Sequence, residues 1–394
     1  VVSRRGATIL VIGLLGLTHA LVLAQRATLP GDALPGISPV EFDEFTLGVQ
    51  DFLEVEEVEE GLGPAFNGTS CAACHNVPAV GGSGPIAEVR AARRNARGEV
   101  EGYGDNGDTL FQLFSVPGHA CQATIPEDAT IIARRIPIPL FGDGLVEAIP
   151  DETLRALEDP LDRDGDGVSG RAAMVVDVAS QERRVGRFGW KAQQATLLTF
   201  GAAAYRDEMG ITNDLFPLEL AVGVTADRMR LCDPIQGVED LLDPATRRRG
   251  IDNFASFMKF LAPVERGPVS DETRLGEQIF TAIQCSTCHV PTLTTGPSAN
   301  PLFDRKAVPL YSDLLLHDVG TGDGLPQGAA TPEEMRTPAL WGLRVRRPFL
   351  HDGSAATIDE AIGRHRNEAE RARGLFDRLD PAQRAALSAF LRSL

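Results

Sequence analysis

The sequence predicts a mainly α-helical protein made of two related domains, and three observations carry that prediction. The pentapeptide Cys71-Ala-Ala-Cys74-His75 recurs as Cys285-Ser-Thr-Cys288-His289. Each copy follows an amphipathic segment with its own start signal. A second, longer repeat without cysteines also occurs once in each half, so internal duplication is the economical explanation.

Ser38 opens the first helix, with Pro39 at its first position and Glu41 placed to close a capping box. Phe42, Phe45, Val49, Phe52 and Leu53 give that helix one apolar face. Before the second pentapeptide, Ser270 caps a segment whose Leu275, Ile279, Phe280 and Ile283 form a similar face. Asp380, Pro381 and Gln383 open a final helix with Leu387, Phe390, Leu391 and Leu394 on one side. Such a closing helix, needed to cover the first helix of each domain, is plain only in the second half.

The longer repeat aligns Phe188-Gly-Trp190-Lys-Ala192-Gln-Gln-Ala195-Thr196-Leu197 with Phe349-Leu-His351-Asp-Gly353-Ser-Ala-Ala356-Thr357-Ile358. Upstream, the loop starting Arg135-Ile-Pro137 answers the one starting Arg336-Thr-Pro338. Pro263, Gly267 and Pro268 cluster before the second capped helix and place the boundary there. The reading is a leader over 1–24, an N-terminal domain over 25–265 and a C-terminal domain over 266–394. The first half is long and must carry an insert between Ala79 and Pro150, with Arg135 to Ile149 extended or strand-like.

The pentapeptide carries the chemistry. Two residues between the cysteines let both thiols close on the vinyl groups of one haem, and the adjacent His reaches the iron. One copy could be a redox pair or half a zinc site; two copies, both ending in His, predict two covalently bound haems c. Cys71, Cys74, Cys285 and Cys288 are the attachment points, and His75 and His289 the proximal ligands. Each domain is therefore expected to be cytochrome-c-like.

A formal charge of −17 excludes nucleic acid as an expected partner. The acidic surface suits a basic electron-transfer protein and equally serves solubility. Arg4 and Arg5, the apolar run Ala7 to Ala24, and the small residues Val22 and Ala24 have the layout of a cleaved secretory leader. Periplasmic export is the expectation, with no membrane association beyond the leader. Cys121 and Cys232 remain, and the sequence leaves open whether they pair.

Further motifs complete the pattern: Phe66-Asn-Gly-Thr-Ser-Cys-Ala-Ala-Cys-His-Asn, Gly186-Arg-Phe-Gly-Trp-Lys-Ala, Glu208-Met-Gly-Ile-Thr-Asn, Tyr311-Ser-Asp-Leu-Leu-Leu-His-Asp and Phe349-Leu-His-Asp-Gly. Together, from about residue 30 to 394, they resemble the bacterial di-haem oxidoreductase family, whose members are described as peroxidases or thiol oxidoreductases. More distantly the chain is similar to di-haem cytochrome c peroxidases and to the enzyme that matures methylamine dehydrogenase. The resemblance implies that the C-terminal haem takes electrons from a small carrier protein, a cytochrome or a cupredoxin. The N-terminal haem then meets a small-molecule oxidant, with hydrogen peroxide the leading substrate. A non-catalytic di-haem carrier, and an oxidase of a thiol, metal or protein, are the alternatives.

Trp190 matches the Trp that lies between the haems in these relatives. They place a Gln about ten residues, and a Glu about twenty, beyond that Trp as acid–base groups. Here Phe200 stands at the first position, and Glu208 is the nearest acid. Glu147, after the Arg135 loop, is a second candidate. Met335 is a candidate sixth ligand for the C-terminal iron, and His317 and His351 are candidate ligands or propionate partners. Arg135 and Arg336, equivalent in the two copies, are expected to hold propionates, since guanidinium matches a carboxylate bidentately. His365 and His19 are expected to touch no haem. Asp162, Asp164 and Asp166 alternate with Gly165 and Gly167 as in the first half of a calcium loop, although Ala173 stands where the twelfth-position Glu belongs.

Overall fold

The computed structural model describes residues 27–394, apart from 104–107, 118–120, 234 and 236. The expected leader and His19 lie outside the described residues. Among the described residues helix accounts for 30% and strand for 13%. The mainly helical expectation is met only in part: much of the described molecule is loop, and loops join the helices in walling the two cavities described below.

The first helix, α1 (Pro39–Leu53), starts at Ser38, whose side chain accepts from the Glu41 N–H in the expected capping box. Phe45, Gly48 and Phe52 form its buried stripe, while Phe42 and Leu53, at the edges of the apolar face, are about half exposed. α2 (Leu197–Met209) starts at Thr196, which accepts from Thr199 N–H, and ends at Gly210 in the left-handed region. α3 (Gly250–Phe260) closes over α1, with Phe257 against both Phe45 and Phe52 at ring-centroid distances of 5.6 and 4.6 Å. This is the covering helix that the sequence did not make plain. Coil follows it over 262–270.

α4 (Asp271–Ala282), α5 (Ile358–Gly363) and α6 (Pro381–Leu391) follow. α6 crosses α4 as α3 crosses α1, with Phe280 and Phe390 at 5.3 Å. Both crossings are close because a glycine sits at each. A Cβ on Gly48 would strike the Asn253 carbonyl oxygen and Phe257, and one on Gly276 would strike the Ala386 carbonyl oxygen and Phe390.

The insert carries the larger sheet. Its central strand β1 (Glu88–Arg94) pairs antiparallel with β2 (Val100–Glu101), β3 (Leu110–Phe111) and β4 (Ile131–Arg135). The expectation of extended chain over Arg135 to Ile149 holds only at its first residue. Pro137 and Pro139 cannot donate to a ladder, and after Phe141 the chain turns into a short helix, Asp143–Glu147. Two further hairpins matter to the site: β5 (Ala173–Val176) with β6 (Arg183–Gly186), and β7 (Leu316–His317) with β8 (Met335–Arg336).

The main core runs from Leu34 through the helices of the first half to Leu315, and a second cluster joins Ile279, Phe280, Phe349, Phe376 and Phe390. Cys121 and Cys232, both buried, form a disulfide that closes the insert onto the segment after α2. Among the described residues no helix is long and apolar enough to cross a membrane.

Candidate functional site

Both pentapeptides fold as single tight turns, Cys71–Cys74 capped by the Ser70 hydroxyl and Cys285–Thr287 after Gln284. In each, the His ring donates its Nδ1–H to a backbone carbonyl, His75 to Gly82 at 2.9 Å and His289 to Tyr311 at 3.0 Å. That fixes the tautomer and leaves the Nε2 lone pair free to bind a metal. Burial pushes both imidazoles down to about 4, so they are neutral, as a ligand must be. Burial pushes the Cys74 and Cys285 thiols up to about 12, the reverse of what thiol–disulfide exchange requires.

Each pentapeptide opens into its own cavity. The first is lined by Phe52, Cys71, His75, Arg135, Phe200 and Glu208, the second by Cys285, His289, Met335, Arg336, His351 and His365. Trp190 is the one residue common to both linings among those described. Its indole Nε1–H donates to the Ile136 carbonyl at 2.9 Å, and the Arg346 guanidinium lies 5.1 Å from the ring centre.

The two copies of the longer repeat hold this wall together by reaching into each other's half. The Trp190 carbonyl accepts from Arg336 N–H at 2.9 Å, and the His351 carbonyl accepts from Ile136 N–H at 2.8 Å. Their backbones match as well. Gly189 and Leu350 both have positive φ, as do Ala192 and Gly353, and both copies end in a threonine that caps a helix.

In the first cavity, the period of α2 decides what faces inward. Phe200, Ala204 and Glu208 fall at i, i+4 and i+8, so Glu208 in the last turn shares the cavity face with Phe200. Asn67 donates to Glu208 at 2.6 Å. Burial, then the nearby Glu88, raises the Glu208 carboxyl far above the ordinary range. Glu88 lies two residues from Arg90 on one face of β1 and accepts from it twice, at 2.8 and 3.0 Å. The sheet register sets it opposite Arg135, 3.7 Å away. Burial opposes its charge, but Arg90 and Arg135 outweigh that and hold Glu88 below the usual value. Neither Glu88 nor Arg90 was singled out from the sequence; the Glu-x-Arg alternation on a strand is the signal that marks them.

Arg135 is also tied to Asp323 at 2.7 Å, and Asp323 takes the fully buried Lys191 at 3.2 Å. Arg336 donates to the Gly189 and Thr337 carbonyls, and burial lowers it to about 10. Arg135 Nη2 and both Nε and Nη2 of Arg346 are buried with no partner among the described residues. Arg346 was missed because nothing in the repeat corresponds to it.

The second cavity corrects two expectations. His317 and Met335 face each other across β7 and β8, but His317 has both nitrogens engaged, Nε2 with Asp313 at 2.9 Å and Nδ1 with Glu368 at 2.8 Å. Burial works against a charged ring, yet these bonds and Cys288 outweigh it and raise His317 well above its ordinary value. Both of its nitrogens are thus engaged by carboxylates, which leaves neither free for a metal. His365, set aside from the sequence, does line this cavity, with Nδ1 bonded to Ala361 and Nε2 free. Met335 and His351 line the same space, His351 edge-on to Trp190.

Glu147 faces neither cavity; its carboxylate accepts from the Leu197 N–H and caps α2. Asp162, Asp164 and Asp166 converge, with carboxylate oxygens within 4.8 Å of one another, and Asp166 touches the second cavity. Ala173, at the twelfth position, is buried in β5.

The residues fit two haems. Each apolar cavity has a neutral imidazole with a free Nε2, two cysteines one turn apart, and buried guanidinium N–H groups that lack an anion.

Residues 105–394 match the model of the family described as "Di-haem oxidoreductase, putative peroxidase". No curated protein matches the chain. Among solved structures, the chain is similar to the diheme peroxidase BthA from Burkholderia thailandensis E264, at 16% identity over 93% of this chain and 89% of that one, with a TM-score of 0.43. It is also similar to a MauG-like protein associated with microbial copper homeostasis, at 16% identity, 71% and 95% coverage, and a TM-score of 0.33. Hydrazine synthase of Kuenenia stuttgartiensis matches at 13% identity over 99% and 100%, with a TM-score of 0.36. At such scores these likenesses carry no argument about mechanism.

Proposed function

The chain belongs to the di-haem oxidoreductase family and is an oxidoreductase whose family implies two haem cofactors; on that premise we propose that it reduces hydrogen peroxide at the first cavity with electrons that enter at the second. The observation that carries this reading is Trp190, which lines both cavities. The haems, bound covalently through Cys71, Cys74, Cys285 and Cys288, supply the electron storage and the iron. Arg135 in the first cavity and Arg336 and Arg346 in the second would hold the propionates of such haems.

An asymmetry supports the direction. The second cavity offers Met335, His351 and His365 besides His289, so its iron can be six-coordinate and suited to electron exchange. Among the described residues the first is lined by no second histidine, and it holds Glu208, a protonated carboxyl positioned to give a proton to the far oxygen of a peroxide and to take the near oxygen's proton in return. The net reaction consumes one peroxide, two protons and two electrons and yields two waters. A small cytochrome or cupredoxin-like carrier supplies the electrons.

Export to the periplasm accords with the Cys121–Cys232 disulfide. The carboxylates of Asp162, Asp164 and Asp166 hold Ca2+, and the two halves descend from one duplicated unit.

The test is Glu208→Gln in the haem-loaded protein. Peroxide turnover falls about a hundredfold or more, the usual worth of a positioned acid–base group, with both haem spectra unchanged. Unaltered turnover would remove Glu208 from the mechanism.

A further inference from the structure

We propose that Glu88 and Glu208 form a carboxyl pair that holds one proton between them at the first cavity, with Glu88 as the ionised member that keeps Glu208 loaded. The proposal deepens the peroxidase reading and rests on it for its purpose, though not for its test.

The geometry comes from three elements meeting at one wall. β1 brings Glu88 and Arg90 on the same face, β4 brings Arg135 opposite Glu88, and the last turn of α2 brings Glu208. Glu88 spends its acceptor capacity on cations, with Arg90 bidentate and Arg135 at 3.7 Å. Among the described residues Glu208 has no arginine within ion-pair distance; the neutral Asn67 amide donates to it at 2.6 Å. Both carboxyls line the first cavity, and the charge of Glu88 is felt by Glu208. Two carboxylates that face one buried cavity with the cationic charge on one side do not both ionise, so the proton stays on the member without the cation.

The other charges facing the pair leave that division in place. Asp207, beside Glu208 on α2, is paired with Arg206 at 2.5 Å, and Cys74 from the first pentapeptide lies nearby without a charge. Arg90 also donates to Thr109 at 3.2 Å, so its fork is fixed from the far side. Burial and the Glu88 charge both favour the protonated form of Glu208. Once Glu208 gives its proton to the cavity, the pair carries two negative charges and recovers a proton at once. Glu88 is thus a positioning residue that acts through Glu208, and the insert that carries β1 completes the acid–base site.

The test follows the C=O infrared band of the buried carboxylic acid during a pH titration of the haem-loaded protein, with no peroxide present. Glu208→Gln removes the band and so assigns it. In Glu88→Gln the neighbouring charge is gone, and the band disappears at least one pH unit lower than in the wild type, a tenfold weaker hold on the proton. Glu88→Asp keeps the charge but draws it back, and gives a smaller downward shift; if Glu88→Gln does not fold, this variant decides alone. An unchanged midpoint in the variants that fold overturns the pair. Because the titration needs no turnover, a failed pair and a failed peroxidase reading are separate results.

Discussion

Trp190 and His351, which occupy the same position in the two copies of the repeat, meet edge to face with ring centroids 6.2 Å apart. Trp190 lines both cavities and His351 only the second, so the indole on one side of this contact joins the two cavities. Trp190→Phe keeps the packing but removes the indole and its bond to Ile136. Electron equilibration between the haems should slow at least about tenfold, or about 1.4 kcal/mol of barrier, while both spectra stay as they are. Flash photolysis of the half-reduced protein measures it.

Arg346 stacks over Trp190 and points unpartnered N–H groups into the second cavity. A buried cation there disfavours the oxidised, more positive iron. Arg346→Gln should therefore lower the midpoint potential of the second haem by about 60 mV, a tenfold change in a one-electron equilibrium, and leave the first haem nearly unaltered. Spectroelectrochemistry resolves the two.

The closeness of the two helix crossings gives a stability prediction. Gly276→Ala forces α4 away from Ala386 and Phe390, an overpacking that costs about 3 kcal/mol. The denaturant midpoint of the variant should fall accordingly. The exposed Leu275 beside it tolerates Ala with little change.

Glu208 also sets a pH dependence of stability. Its carboxyl is raised from the ordinary 4.5 to about 8, so across that window the folded protein binds a proton that the unfolded chain has released. Stability contributed by this group is present below the lower value and declines as pH rises toward 8. Glu208→Gln should flatten that slope. Urea midpoints at pH 5 and pH 8 should differ less in the variant than in the wild type.

Removing the Cys121–Cys232 disulfide releases a loop with a sequence separation of 111 residues, worth about 5 kcal/mol in a chain-entropy account. A double Ser variant should unfold at lower denaturant while keeping both haem spectra.

Much of this organisation was legible in the sequence because it is local. The Ser38, Ser270 and Asp380 caps, the two pentapeptides and the aligned Trp190 and His351 repeats depend on residues a few positions apart, and the helices start where those signals place them. Phe42, Leu53 and Leu275 read as core but are about half exposed, since a face drawn from periodicity is wider than the stripe that a single facing helix can cover. What depends on distant partners was hidden. α3 has Arg249 rather than a Ser or Asp at its N-cap position, and the carboxylate that accepts from its Gly250 and Ile251 N–H groups belongs to Asp240, ten residues upstream. His317 read as a ligand because nothing near it in sequence shows that Glu368 would take its free nitrogen. Glu88 and Arg90 became part of the first cavity only through the register of β1 with β4.

The most direct test of the central claim is to add one electron to the haem-loaded protein, record which haem is high-spin, and mix it rapidly with hydrogen peroxide. The account predicts a low-spin, reduced haem on His289 and a high-spin haem on His75 that consumes peroxide, with electrons then leaving the second site in the wild type far faster than in Trp190→Phe. Two low-spin haems that ignore peroxide in every redox state would contradict it.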